Sequence, residues 1–194
     1  MPTTPEGIVR FWLEEVGPSG WYEVDEALDA KIRERFGESW EALRNGELET
    51  WRVSPEGALG YLILADQFPR NMFRGRPDAF ATDGRARAAA ADAIFRDWDR
   101  AVPEPERQFF YMPFVHSECL ADQDRAICLF HDRMPEKGAG NLLHARAHRE
   151  IIRRYSRFPF RNAALGRANS EAEAEFIESG GYPEIVRELQ AETA

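Results

Sequence analysis

Two related polar motifs are the feature of this sequence with the clearest chemical potential. Residues 67–71 read Gln-Phe-Pro-Arg-Asn, and residues 157–162 read Arg-Phe-Pro-Phe-Arg-Asn. In each motif a proline ends the incoming helix and suits the first turn of a new one, directly before an arginine and an asparagine. Arginine binds carboxylates and phosphates bidentately, and asparagine can cap backbone groups. The motifs therefore indicate either an anion site or ion-paired joints between helices.

The segment between these motifs contains a potential acid–base pair, His116 and Glu118. We expect both residues in the first turns of a long helix over residues 114–133, where the helix dipole favours a carboxylate and keeps a histidine neutral. In that arrangement His116 can act as a general base and Glu118 can orient it. The same pair also suits a structural hydrogen-bond network, and the sequence leaves both interpretations open.

The remaining reactive residues give weaker signals. His144 and His148 share a helical face, which suits metal ligands, but Ala145 stands where an HExxH motif has its glutamate. We therefore predict no metal and assign these histidines an exposed or capping role, or a share in an anion site. Cys119 and Cys128 would point to opposite sides of one helix, which excludes a disulfide and predicts small core residues.

Composition limits the classes of function. With 194 residues and 43% apolar content, the chain is expected to form a single domain over residues 1–194. A net charge of −9 argues against nucleic-acid binding. The sequence has no apolar run that suits a membrane span, no signal-peptide pattern in residues 1–6 and no glycine-rich nucleotide loop. We therefore expect a cytoplasmic protein without a cofactor, a membrane or a nucleic-acid partner.

The charge is unevenly distributed near the C-terminus. Residues 144–167 contain seven arginines and one acid, Glu150, whereas residues 170–194 contain seven glutamates and one base, Arg187. The two segments can pair with each other as a basic and an acidic helix. Alternatively, the basic segment contributes to a positive pocket for an anionic ligand.

Apolar periodicity and capping residues predict helices almost everywhere. The helix from Ser54 to Pro69 is apolar nearly all round and should be central and buried. The other expected helices cover residues 5–16, 25–36 (ended by Gly37), 39–45, 82–98, 114–133, 141–155, 170–180 and 183–192, with a further segment at 106–112. About nine or ten helices with short loops predict an all-α fold of stacked antiparallel helix pairs.

Three motifs together resemble the bacterial family called domain of unknown function 924. They are Leu62–Gly75, Phe110–Glu118 and Arg157–Arg167, and the resemblance extends from Phe11 nearly to the C-terminus. It implies a tetratricopeptide-like helical fold, although the family has no established activity. A strict tetratricopeptide repeat is absent from the sequence.

This chain departs from the family pattern in two places. Tyr155-Ser156-Arg157 stands where the family usually has Phe-Gly-Arg, and Phe160 replaces a usual histidine. If that histidine were an acid–base group or a metal ligand of the family, this protein would lack it. The second departure therefore argues against an enzymatic or metal-binding role here.

All the motif residues lie at predicted helix ends, which helical hairpins can bring together on one side. The leading prediction is a pocket for a small phosphate- or carboxylate-bearing ligand. Asp66 and Gln67 would orient the arginines without contacting the ligand. If the protein catalyses a reaction, His116 and Glu118 would be the catalytic pair. The predicted ligand-binding residues are Arg70, Asn71, Arg74, Arg157, Arg161 and Asn162.

Three alternatives remain. The same groups can form a buried, mutually satisfied ion-pair network that locks helix crossings. The protein can be a tetratricopeptide-like scaffold that binds a protein or peptide on a concave helical surface. It can also be a hydrolase or transferase that acts on an anionic substrate, with His116 as the base.

Overall fold

The computed structural model describes residues 3–192, which divide into two compact units, 3–113 and 114–192. All regular elements within this range are helical, and no strand occurs in it, which confirms the predicted all-α class. Nor does any helix of the described range have the length and apolar character needed to cross a membrane. Residues 1–2 and 193–194 lie outside this range. They include both ends of the predicted domain and the first two residues of the segment that was compared with a signal peptide.

The first unit is built on one long, buried helical run. This run consists of α4 (Pro55–Leu62), a π-helical segment (Ile63–Gln67) and α5 (Phe68–Met72). Residues 57–69 are all buried, as expected for the central helix. Around it lie α1 (Pro5–Arg10), a π-helical segment (Phe11–Val16), α2 (Gly17–Gly20), α3 (Glu26–Asn45) and α6 (Asp83–Phe95), with short 3-10 segments at 49–51, 77–80, 98–101 and 106–110.

Close packing fixes the central run against its neighbours. α1 packs on α4 at Gly60, where a Cβ atom would lie only 2.7 Å from the Pro5 carbonyl oxygen. The ring of Phe68 at the start of α5 packs against Phe36 (4.9 Å between centroids) and against Trp12 (5.5 Å). Burial of such large aromatic rings is the main favourable contribution to packing in this unit.

Capping residues set the helix starts as the sequence predicted. The Asp25 carboxylate accepts hydrogen bonds from the Ala27 and Leu28 N–H groups, and the Ser54 hydroxyl accepts one from Gly57. The predicted stop at Gly37 is wrong, because α3 continues to Asn45. One glycine costs a helix only about 1 kcal/mol, and the buried face of α3 extends through Gly37 to Leu43.

The second unit contains three longer helices and several short elements. They are α8 (Leu120–Arg133), α9 (Ala139–Tyr155), a 3-10 turn (Pro159–Arg161), α10 (Glu171–Glu178) and α11 (Gly181–Glu192). Before them stands α7 (Met112–Val115), which includes the last two residues of the first unit. α9 packs against both α8 and α11. A core of Ile151, Ile152, Phe158, Phe176 and Ile185 joins α9 to the C-terminal helices.

The predicted helix over residues 114–133 is interrupted. α7 ends at Val115 and α8 begins at Leu120, so His116 and Glu118 lie in the connection and not in the first turns of a helix. The cause is Gln123, whose Nε2 donates to the carbonyl oxygens of Val115 (2.7 Å) and Ser117 (2.6 Å). These oxygens are thus satisfied by a side chain instead of by the next helical turn.

The interruption also changes the surroundings of the cysteines. Cys119 precedes α8 as its N-cap residue, and both Cys119 and Cys128 are exposed free thiols. The prediction that they are core residues is therefore wrong. The buried face of α8 is formed by Gln123, Ala126, Leu129 and Phe130, and position 128 lies off that face.

Candidate functional site

The first motif lies in the first unit, at the end of the π-helical segment. Arg70 Nη1 lies 3.2 Å from Asp66 Oδ1 and 3.0 Å from Asp83 Oδ1, and Gln67 Nε2 donates to Asp66 Oδ2 at 2.6 Å. Burial by itself lowers the pKa of Arg70, but the two carboxylates reverse the effect and raise this pKa. Arg70 is thus one of the partners that the sequence suggested for Asp66, a fully buried residue.

Asn71 and Arg74 share a third carboxylate, that of Asp29 on α3. Asn71 Nδ2 donates to Asp29 Oδ1 at 2.8 Å, and Arg74 contacts both Asp29 oxygens. Sequence reasoning missed Asp29 and Asp83, although Asp29 precedes Ile32 and Phe36 on the apolar face of α3. In this motif three carboxylates therefore surround two arginines.

The second and third motifs meet within the second unit. Arg167 donates to Glu118 through Nη1 (2.8 Å to Oε2) and Nη2 (2.9 Å to Oε1), and the Phe158 N–H donates to Oε1 at 2.8 Å. Burial raises the pKa of Glu118, but these hydrogen bonds and the charges of Arg167 and Arg161 outweigh burial and lower it. Glu118 therefore remains ionised at neutral pH, and its predicted role as the orienting group of His116 stays a prediction.

Arg161 makes a second connection between the same two motifs, through His116. Its Nη1 donates to the His116 carbonyl oxygen at 3.0 Å, and its guanidinium carbon lies 4.4 Å from the centroid of the Phe158 ring. Only 7% of Arg161 is exposed. The connection before α8 is thus bound to the 158–167 segment at both Glu118 and His116.

Arg157 and Asn162 contact the start of α10. Arg157 donates to both oxygens of Glu173, which also completes a capping box with Ser170. Hydrogen bonds from Arg157 and Ser170 lower the pKa of Glu173 to about 2, against the effect of burial. Asn162 Nδ2 donates to Asn169 Oδ1 at 2.7 Å. The predicted pairing between the basic segment and the acidic C-terminal segment is present here.

Two histidines of α9 lie beside these groups. His148 Nδ1 is 2.8 Å from the His144 carbonyl oxygen, and its ring packs edge-on against Phe158 (5.3 Å) and Tyr182 (4.9 Å). Burial lowers the pKa of His148 to about 3, and the charges of His116 and Arg161 act in the same direction. His148 is therefore neutral at physiological pH. Within residues 3–192, no three His, Cys, Asp or Glu side chains are grouped to hold a metal ion.

These interactions define what we call the 116–167 cluster, formed by His116, Glu118, His148, Arg161 and Arg167. Arg161 lowers the pKa of both Glu118 and His148, and His116 lowers that of His148, so the groups act on one another electrostatically. The cluster contains two guanidinium groups and one carboxylate. In the first motif, by contrast, the carboxylates outnumber the arginines.

Comparison with known proteins places the chain in a family. Residues 8–181, which contain all three motifs, match a family described as bacterial protein of unknown function, DUF924. The chain belongs to DUF924. A solved structure described as that of a protein of unknown function, ATU0120 from Agrobacterium tumefaciens, is similar, with a TM-score of 0.85 and 41% sequence identity over 91% of this chain and 97% of that chain. No curated protein matches the sequence.

Ser156 stands at the position where the family pattern usually has a glycine. Ser156 is the C-cap of α9 and has a φ of +60°, in the left-handed region that favours glycine. A side chain at such a position costs about 1 kcal/mol or more. The serine is therefore a point of local strain next to Arg157.

Replacing Ser156 by glycine should raise the free energy of unfolding by roughly 0.5–1 kcal/mol, because the gain in backbone fit exceeds the extra entropy of the unfolded chain. Urea denaturation provides the measurement. Ser156→Ala is the matched control, since it removes the hydroxyl but keeps the Cβ atom. A glycine variant no more stable than the alanine variant would contradict the assignment of strain.

Proposed function

We propose that this protein binds a small anionic ligand, with a carboxylate or phosphate group, at the 116–167 cluster. The observation that supports this is the convergence of two arginines at Glu118. Arg167 binds both carboxylate oxygens, and the charge of the buried Arg161 acts on both Glu118 and His148. Guanidinium groups that converge in one place favour negative charge there, and a bound anion would add to that of Glu118. The planar fork of arginine suits carboxylate and phosphate oxygens.

The first motif offers a weaker case for ligand binding. Three carboxylates, of Asp66, Asp83 and Asp29, already contact Arg70 and Arg74, so an added anion would meet net negative charge. We assign Arg70, Asn71 and Arg74 to stabilising the first unit. In the second unit, Arg157 and Asn162 hold the start of α10 in place. The proposed contacts to ligand are therefore Arg161 and His116.

Isothermal titration of the full chain with inorganic phosphate, succinate and malate tests this proposal. We expect saturable binding of at least one of these anions by the wild-type protein. Arg161→Lys keeps the charge but removes the fork, so it should weaken binding about tenfold or more. Arg153→Lys is the matched control, because Arg153 is an exposed arginine of the same unit that pairs with Glu150.

Two results would reject an anion site at this cluster. One is the absence of saturable binding of all three anions to wild-type protein that is folded by circular dichroism. The other is equal binding by the Arg161→Lys and Arg153→Lys variants. Since both substitutions retain positive charge, a difference between them reports on the position and geometry of the guanidinium group and not on net charge.

A tetratricopeptide-like scaffold that binds a peptide is the second candidate function. The helix order of the second unit favours it. Arg149 of α9 pairs with Asp124 of α8, and these two helices run antiparallel. By contrast, α9 and α11 run in the same direction, because His144 contacts Tyr182 and Arg154 contacts Glu188. Alternation of this kind is typical of stacked helical pairs. Under this proposal the half-exposed Phe160 and Ile177 would contact the peptide, and Phe160→Ser would abolish peptide binding without changing anion binding.

A further inference from the structure

The second ring nitrogen of His148 is an open hydrogen-bond acceptor. A carbonyl oxygen can only accept, so Nδ1 must carry the proton that it donates to the His144 carbonyl. A neutral imidazole has one N–H, and Nε2 therefore bears a lone pair. No residue in the range 3–192 donates a hydrogen bond to Nε2, and this atom retains some exposure to solvent.

The groups around this ring keep it an acceptor. His144 lies on the same helix, His116 follows α7, Arg161 belongs to the 3-10 turn and Tyr182 comes from α11. Of these, His116, Arg161 and the His144 side chain disfavour a positive charge on His148, and with burial they outweigh the His144 carbonyl oxygen, which favours it. Nε2 consequently cannot gain a proton easily and cannot donate. A ligand atom placed against it must itself be a hydrogen-bond donor.

A simple deprotonated anion does not satisfy this requirement. Carboxylate oxygens and the oxygens of a phosphate monoester dianion are acceptors, and two acceptors placed in contact lose their hydrogen bonds to water without replacement. A hydroxyl group next to the anionic group supplies the missing donor. Its oxygen can also accept from a nearby cationic donor, so a hydroxylated anion matches both kinds of group in the cluster.

We propose that the ligand of the 116–167 cluster is a hydroxylated anion of the 2-hydroxycarboxylate type. Its charged group binds Arg161 and His116, and its hydroxyl donates to His148 Nε2. This inference rests on the proposed anion-binding function and narrows it to a ligand class. His148 is accordingly a ligand-contacting residue that selects for the hydroxyl.

Titration calorimetry with matched ligand pairs tests the selectivity. Malate and succinate differ by one hydroxyl, as do lactate and propionate. We expect the hydroxylated member of at least one pair to bind wild-type protein roughly three- to tenfold more tightly, as one added hydrogen bond implies. In His148→Phe, which keeps an aromatic ring beside Phe158 and Tyr182, the ratio should fall to about one. His131→Phe, at an exposed position of the same unit, should leave the ratio unchanged.

Nitrogen-15 NMR of the wild-type imidazoles gives a readout that does not depend on a variant's folding. Bound malate should shift the Nε2 resonance of His148 as hydrogen bonding to a lone pair does, and bound succinate should not. Equal affinity within both pairs, or a malate complex that leaves this resonance unchanged, overturns the inference and leaves the anion site intact. If no member of either pair binds, and phosphate does not bind, the proposed function fails together with the inference.

Discussion

Replacing Glu118 by glutamine is expected to lower the free energy of unfolding by about 2–4 kcal/mol. The glutamate accepts two hydrogen bonds from Arg167 and one from the Phe158 N–H. A glutamine amide cannot accept all of them, and the substitution removes the negative charge that Arg167 contacts. Charged pairs of this kind are costly to break when they are partly removed from water.

Urea denaturation of a double-mutant cycle measures the interaction. The cycle combines Glu118→Gln with Arg167→Met, and we expect a coupling energy above about 1 kcal/mol. Asp124→Asn, which breaks the exposed pair with Arg149 in the same unit, is the control and should cost less than about 1 kcal/mol. If Glu118→Gln is no more destabilising than this control, Glu118 does not stabilise the contact between the Phe110–Glu118 and Arg157–Arg167 motifs.

Acidification from pH 7 to pH 5 should destabilise the protein by about 2 kcal/mol through His148. The pKa of His148 is about 3 in the folded protein, against an ordinary value of 6.5. Between these values the unfolded chain binds a proton that the folded protein excludes. The free energy of unfolding is therefore highest above pH 6.5 and falls by about 1.4 kcal/mol per unit well below it, until the pH nears 3.

Urea midpoints at pH 7, 6 and 5 give the measurement. His148→Phe should remove the larger part of the decline, and the rest comes from His144, whose pKa is also lowered by burial. His131→Phe, at a surface position, should retain the decline. This pH window lies above the range in which carboxylates such as Glu150 and Glu173 take up protons, so those groups contribute little to the slope. Identical slopes in wild-type and His148→Phe protein would show that the imidazole is not held neutral by the fold.

The fold was largely predictable because local signals agreed with tertiary packing. Asp25 and Ser54 cap the helices at which they were placed, and the apolar run after Ser54 is the buried centre of its unit. The failures at Gly37 and at residues 116–119 have a common cause. Gly37 is tolerated because the buried face of α3 continues past it, and the break after α7 is stabilised by the Gln123 side chain of the next helix, which donates to the carbonyl oxygens there. Both effects arise from tertiary structure.

The candidate site was predictable only in part, for a related reason. Motif spacing indicated Arg161 and His116, but nothing in the sequence shows which carboxylate contacts which arginine. Asp29 and Asp83 lie far from the first motif in the sequence, and Arg167 was named only within a motif. For His148 the sequence predicts an exposed or capping role or a share in an anion site, but it does not show that the ring packs against Phe158 and Tyr182, which approach from other elements.

The exposed thiols give this protein a convenient reporter position. The chain has only two cysteines, and both are accessible to solvent. Cys128→Ser would leave one thiol at Cys119, directly after Glu118 and at the N-cap of α8. A maleimide dye attached there would sit beside the 116–167 cluster without any engineered cysteine. The break between α7 and α8 thus makes fluorescence a direct means of following events at the cluster.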